Sequence, residues 1–318
     1  MSTEDMHIAF DGLQIRGGYS AESFIKNEEG ASLMTIEEIK DRLKKMERYS
    51  IQLKIEGDMT DVVGNSHFGG VPDVPDNFVW PVFETDTFDD KTIKPRPLSF
   101  IAQFNCQELA AYDRDGLLPE TGVLSFFYET NSQRWGFDPK DAGCAKVYWF
   151  EDIQNLSKGM FPKELEEDFR FPAMKITFEA KRSLPEYQDF AAGLSDKEYI
   201  ETWDNFEKAT AEFHIDNEMC SKLLGWANII QNCMTCECEL VSRGYYLGNT
   251  WKDIPKEEAD YAKQHSSDEW LLLFQLDSVE KEDFELMFGD CGSIYFYIRK
   301  EDLAAKNFDK VWLIQQCY

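Results

Sequence analysis

Apolar and polar residues alternate through a series of short blocks in this chain, and the alternation predicts strands. In Gly292–Ile298 (GSIYFYI), Ile294, Phe296 and Ile298 fall on one face; Ser293, Tyr295 and Tyr297 fall on the other. That is the pattern of an antiparallel sheet with one dry and one wetter face. Leu98–Asn105 (LSFIAQFN), Gly122–Tyr128 (GVLSFFY) and Lys146–Phe150 (KVYWF) are also short, rich in aromatic and β-branched residues, and bounded by turn residues. They return in the same order as Trp270–Asp277 (WLLLFQLD), Gly292–Ile298 and Lys310–Ile314 (KVWLI), with Gln103 matching Gln275. The Gln-to-Gly spacing is 19 then 17 residues, and the Gly-to-Lys spacing 24 then 18. Ile51–Gly57 and Met174–Ala180, each an alternating strand, open the two halves. An ordered three-block match predicts an internal duplication.

Helical patterns punctuate the strands. Thr35 with Glu38 forms a capping-box signature, followed by a stripe of Ile36, Ile39, Leu43 and Met46. Ser195 with Glu198 opens a second helix carrying Tyr199, Trp203 and Phe206. A third is predicted over about Asp216–Leu224, with Gly225 just past its end. Pro255 suits the first position of a fourth, running to about His265, and Asp302–Lys306 fits a short last one. Residues 1–34 show no firm pattern and are expected to form an arm. The fold class expected is α+β and β-rich: antiparallel sheets in two pseudo-repeated, roll-like halves with flanking helices. Residues 35–318 form a single unit, with repeat one over about 35–172 and repeat two over about 173–318.

Charge narrows the partners. Sixty acidic against 33 basic residues leave a net charge of −27 over 318 residues. Nucleic acid and anionic membranes are recognised through Lys and Arg, so neither is an expected partner. A basic protein is permitted, and so is a small-molecule ligand. The opening MSTEDMHIAFDG lacks a basic segment followed by an apolar one, and the apolar run Trp270–Phe274 falls far short of the roughly 20 residues of a membrane helix. With eight Cys, the expectation is reduced thiols in the cytoplasm.

The segment His67–Pro81 (HFGGVPDVPDNFVWP) has little backbone freedom, since Gly69 and Gly70 permit positive φ while Pro72, Pro75 and Pro81 fix theirs. It suits either a rigid binding loop bearing His67 and Trp80 or, more simply, a crossover whose Trp80 plugs the core. It lacks the spacing and Lys of a phosphate loop. Gln103 and Gln275 either face a cleft between the halves or tie down buried backbone groups. Cys233, Cys236 and Cys238 with Cys220 or His214 make a candidate tetrahedral zinc set, against which stands the plainer reading of buried, inert thiols. No cofactor is expected. His7, His67, His214 and His265 are scattered, and G-x-S-x-G, H-E-x-x-H and G-x-G-x-x-G are absent from the sequence. Glu166-Glu167-Asp168 reads as a solvated face, and Asp290 as an Asx turn or a polar group at a cleft mouth.

Gly69–Pro81, followed by PLSFIAQFN, LPETGVLSFFY and KVYWF, resembles the YwqG-like family of bacterial proteins of unknown function. So do Leu223–Gln231 (LLGWANIIQ) and Phe288–Tyr318. The resemblance runs from about residue 35 to 318. It implies a β-rich, roll-like architecture with two related halves and carries over no catalytic residues; the Cys-rich patch after Gln231 lies outside the family pattern. The expectation for function is a non-catalytic cytosolic interaction protein whose acidic surface meets a basic partner, as in immunity-type proteins. The alternative is a small-molecule or glycan binder, or an enzyme, with a cleft between the halves. A metal or redox role for the Cys patch is the third reading.

Overall fold

A computed structural model describes residues 34–58, 62–213, 218–248 and 251–318. The arm expected at the start falls, but for Met34, outside the described residues, as do His7 and His214. In chain order the strands are β1 (Arg48–Asp58), β2 (His67–Phe68), β3 (Asp73–Pro75), β4 (Val82–Thr85), β5 (Lys94–Pro97), β6 (Ser99–Asn105), β7 (Val123–Tyr128) and β8 (Ala145–Phe150). They continue as β9 (Leu156–Lys158), β10 (Met174–Ser183), β11 (Lys222–Leu224), β12 (Trp270–Asp277), β13 (Val279–Lys281), β14 (Phe284–Leu286), β15 (Ser293–Arg299) and β16 (Trp312–Gln316). Ten of these make one antiparallel sheet in the order β16-β15-β12-β11-β1-β10-β2-β6-β7-β8. The sheet curls almost into a barrel. Inside it, Phe104 of β6 meets Phe274 of β12 at 5.2 Å between ring centres, and Phe126 of β7 meets Phe296 of β15 at the same 5.2 Å.

Alternation sorts the side chains as the sequence predicts, but the outer face is not wet. Ile294, Phe296 and Ile298 enter the main core, while Tyr295 and Tyr297 join a second buried cluster outside the sheet with Trp270, Met234 and Cys238. The tyrosines tolerate this because a buried hydroxyl can still find an acceptor: Tyr295 Oη donates to the Asn228 carbonyl at 2.7 Å.

Both capping boxes form. Thr35 opens α1 (Ile36–Met46), and Ser195 opens a later helix, Asp196–Ala211. Between them lie two one-turn helices, α2 (Cys106–Leu109) and α3 (Tyr187–Phe190), so Asp196–Ala211 is α4. Ile39 and Leu43 of α1 pack with Tyr187, Phe190 and Phe206. Then follow α5 (Met234–Ser242), α6 (Lys256–Glu269), which starts just after Pro255, and α7 (Lys300–Ala304). The helix expected up to Leu224 is corrected: Lys222–Leu224 is strand β11, wedged between β1 and β12, and Asp216 and Asn217 lie outside the described residues. Gly225 therefore caps no helix. With Leu224 at φ +58° and Gly225 at +73°, the chain turns off the sheet there. The last strand is also displaced, starting at Trp312 because Phe308–Lys310 forms a 3-10 turn.

Candidate functional site

The Gly-Pro-Trp segment is a strap over the outer face of the sheet. His67 and Phe68 pair with Gln103 and Ala102. Gly69 and Gly70 then adopt φ of +58° and +68°, and a Cβ on Gly69 would lie 2.2 Å from the Pro172 carbonyl oxygen. Only glycine fits where a left-handed turn and a backbone contact coincide. Beyond the turn the strap is pegged by Gln103. The Asp73 N–H donates to Gln103 Oε1 at 2.8 Å, and Gln103 Nε2 donates to Asp73 Oδ2 at 2.6 Å and to the Asn65 carbonyl at 2.9 Å. Asp73, wholly buried, also accepts from the Gly64 N–H at 2.7 Å and faces Lys158 Nζ at 3.1 Å. His67 Nδ1 lies 2.8 Å from the Gly69 carbonyl, and burial pushes the imidazole pKa down, so the ring is neutral. Trp80 donates from Nε1 to the Leu98 carbonyl at 2.8 Å and packs edge-on against Phe127.

A second polar cluster lies beside β11. Lys222 pairs with Gln275 in register. Gln275 Oε1 accepts from the Asn228 N–H at 3.0 Å, and its Nε2 donates to Asp277 Oδ1 at 2.9 Å. Burial lowers the Lys222 pKa and raises those of Asp277 and Glu186. Such perturbed groups mark candidate sites. Lys222 and Glu186, with Ser50, Gln52, Ser183 and Asn228, line a hollow of only about 10 Å³, enough for about one water. It is too small for a sugar or a metabolite.

The remaining residues do not converge. Gln103 and Gln275 are both wholly buried on the outer face, on different strands, while their neighbours Phe104 and Phe274 point inward. Asp290 is exposed in the turn before β15, where its carbonyl accepts from the Tyr318 N–H at 3.1 Å. The cleft drawn from Trp80, Gln103, Gln275 and Asp290 is therefore not assembled. Nor is the four-thiol set. Cys233 and Cys236 lie 3.0 Å apart at the start of α5, but Cys238 is two residues further along the helix and packs on the other side, with Trp270 and Tyr297. Cys220 Sγ stands 3.9 Å from Asn228 Oδ1. Among the described residues, no group of three or more His, Cys, Asp or Glu side chains is placed to hold a metal.

What the residue pattern did not reveal is the exposure of several large apolar side chains on the strap and on the segments next to it. Val79 and Val82 flank Trp80; Met160 precedes Phe161, whose ring meets Trp80 at 6.0 Å; Phe88 and Ile93 sit at the tip of the β4–β5 hairpin. Phe88 is 87% exposed, Met160 85%, Val79 81% and Ile93 72%. Hydrophobicity alone could not show this exposure, because the residue types are those of a core.

The chain is thus a β-rich α+β protein built on one curled antiparallel sheet. It belongs to the DUF1963 family, a domain of unknown function, whose model matches residues 66–317. The match opens at Ser66, the start of the strap. No curated protein matches the chain. Among the described residues, no helix is long and apolar enough to cross a membrane.

Proposed function

We propose that this is a non-catalytic interaction protein of the cytosol, YwqG-like in kind, that docks a basic protein on the exposed apolar side chains at and next to the strap. The carrying observation is the exposure of Val79 on the strap, of Met160 next to Phe161, and of Phe88 and Ile93 on the hairpin that follows. A preformed surface loses little entropy on binding. The net charge of −27 favours a basic partner and speeds its encounter. The polar clusters are consumed by the fold's own hydrogen bonds or enclose room for one water, which suits a binding protein better than an enzyme.

Two related halves within residues 35–318 fit this reading. The sheet order is palindromic about the β1–β10 pair. β2 and β11 each run into two left-handed residues, and Gln103 and Gln275 each accept the N–H of a following Asp73 or Asn228. The second half's crossover, Leu223–Gln231, is covered by α5, whereas the first half's strap displays Val79. Surface binding is on this view an elaboration of one half.

The test is affinity capture from the native lysate with the wild-type chain and with a Val79→Ser, Phe88→Ser, Met160→Ser variant, whose changes lie on the surface. One dominant basic protein should be retained at low salt, released at high salt, and weakened at least about tenfold by the triple change (~1.4 kcal/mol). Equal retention by the variant would displace the docking surface. Failure to retain any basic protein at low salt would end the interaction reading.

A further inference from the structure

We propose that Cys233 and Cys236 are a dithiol that closes reversibly to an intrachain disulfide by exchange with a low-molecular-weight or protein disulfide. This is independent of the docking surface, which lies on the other half of the chain. Four observations carry it. The two sulfurs are 3.0 Å apart and need approach by only about 1 Å to reach a bonding distance of ~2.05 Å. Cys233 is the N-cap of α5 and Cys236 lies in its first turn, where the helix N-terminus favours a thiolate. The two differ in access: Cys233 is half-buried and Cys236 buried, so Cys233 is the entry thiol and Cys236 the resolving thiol. A carboxyl is aimed at the pair. Asp189 of α3, 1% exposed, has Oδ1 3.5 Å from Cys233 Sγ, and its Oδ2 has no hydrogen-bond partner among the described residues.

The surroundings keep the resting Cys233 thiol protonated. The hydrogen bond with Cys236, and then burial, push the Cys233 thiol up. Arg48, Glu186, Tyr199 and Tyr297 are the other ionisable groups felt by Cys233 or by Asp189, and Thr235 Oγ1 lies 3.3 Å from Cys233 Sγ. Attack therefore needs a proton acceptor, and the Asp189 carboxylate, present once the pH reaches about 7, is placed to be one. Cys233 passes its proton to Asp189, and its thiolate attacks one sulfur of the acceptor disulfide, forming a mixed disulfide and expelling one thiolate, which takes up a proton. Cys236, deprotonated in turn, attacks Cys233 Sγ. The intrachain bond forms, the mixed disulfide breaks, and a second thiol leaves. Two thiols of the chain are oxidised and one acceptor disulfide is reduced to two thiols.

The experiment incubates the native full chain with glutathione disulfide, alkylates the remaining thiols and maps the peptides by mass spectrometry. The expected result is a Cys233–Cys236 cross-link that dithiothreitol reverses. Cys291, which is exposed, is expected to carry glutathione without cross-linking. Cys236→Ser should instead trap glutathione on Cys233, Cys238→Ser should cross-link like the wild type, and Asp189→Asn should slow closure at least about tenfold while giving the same product. A native wild-type chain whose Cys233 and Cys236 stay unoxidised, or pair with other cysteines, overturns the proposal without recourse to any variant. An unchanged rate in Asp189→Asn removes the proton acceptor and with it the mechanism.

Discussion

Between pH 5 and pH 9 the unfolding free energy of this protein should fall by on the order of 5 kcal/mol. The cause is a pair of buried carboxyls. Burial raises Asp189 from its ordinary 3.8 to about 7, against the opposing pull of Arg48 and the Cys233 hydrogen bond. Burial likewise raises Glu237 from 4.5 to about 8, although it hydrogen-bonds Asn232 and Gln316. Each has one oxygen without a hydrogen-bond partner among the described residues, as suits a neutral acid kept from water. The sign follows from which state holds the proton. Below about pH 4 both groups are protonated in the folded and unfolded chains, and neither contributes a pH dependence. Above that, the unfolded chain ionises while the folded chain does not, so stability falls by about 1.4 kcal/mol per pH unit for each group. The loss is complete for Asp189 near pH 7 and for Glu237 near pH 8. Lys222 works the other way at the alkaline end: its pKa is pushed down by burial, so the penalty on its charged form is relieved as pH rises through its folded value. Urea unfolding at pH 5, 7 and 9 measures the slope. Glu237→Gln keeps the carboxyl's size and most of its hydrogen bonding without the titration; it should flatten the slope, match the wild type near pH 5 and exceed it at pH 9. Parallel profiles for the two proteins would mean that Glu237 is ionised in the fold, contrary to this account.

Much of the frame that holds these groups was legible in the sequence, for a physical reason. Strands such as β6, β7 and β15 are long enough to show a period of two, and the capping boxes at Thr35 and Ser195 are local hydrogen-bond signatures. β11 was not legible because three residues, Lys222–Leu224, carry no period; their strand character comes from the open ladders of β1 and β12 on either side. The two-residue displacement of β16 has a related origin. An alternating strand matches itself when shifted by two, so Lys310–Ile314 read as well as Trp312–Gln316. Burial of the outer face escaped for another reason: Tyr295 and Tyr297 look wet by residue type, and only the arrival of α5 and Asn228 makes them dry. The Cys spacing disclosed the Cys233–Cys236 neighbourhood, but Cys238 was grouped with them in disregard of helix phase. The exposed apolar surface was hidden because Val79, Phe88, Ile93 and Met160 have core chemistry and surface positions.

Gln103→Leu should destabilise the protein by about 3 kcal/mol, among the largest effects available from one side chain outside the apolar core. The volumes are similar, so the effect isolates the hydrogen bonds. Three partners lose theirs: the Asp73 N–H, the Asp73 carboxylate and the Asn65 carbonyl, all beneath the strap. Asp73 keeps Gly64 N–H and Lys158, but its own N–H loses the acceptor it has in Gln103. Gln275→Leu should cost less, about 2 kcal/mol, because Asp277 retains the Ser293 hydroxyl at 2.8 Å. Gln103→Glu separates the roles further. It places a second carboxyl where an amide stood 2.6 Å from Asp73 Oδ2, so the variant should be weakest near neutral pH and recover on acidification, as one of the two carboxyls takes up a proton that both can share. Urea midpoints for the three variants decide the matter. A Gln103→Leu protein within about 0.5 kcal/mol of wild type would show that the strap holds itself, and would return Gln103 to the residues free to meet a ligand. A loss near 3 kcal/mol, shared by a Gln103→Leu chain in which the Trp80 surface still retains its partner after refolding at low temperature, assigns the amide to architecture and leaves recognition to the apolar residues outside it.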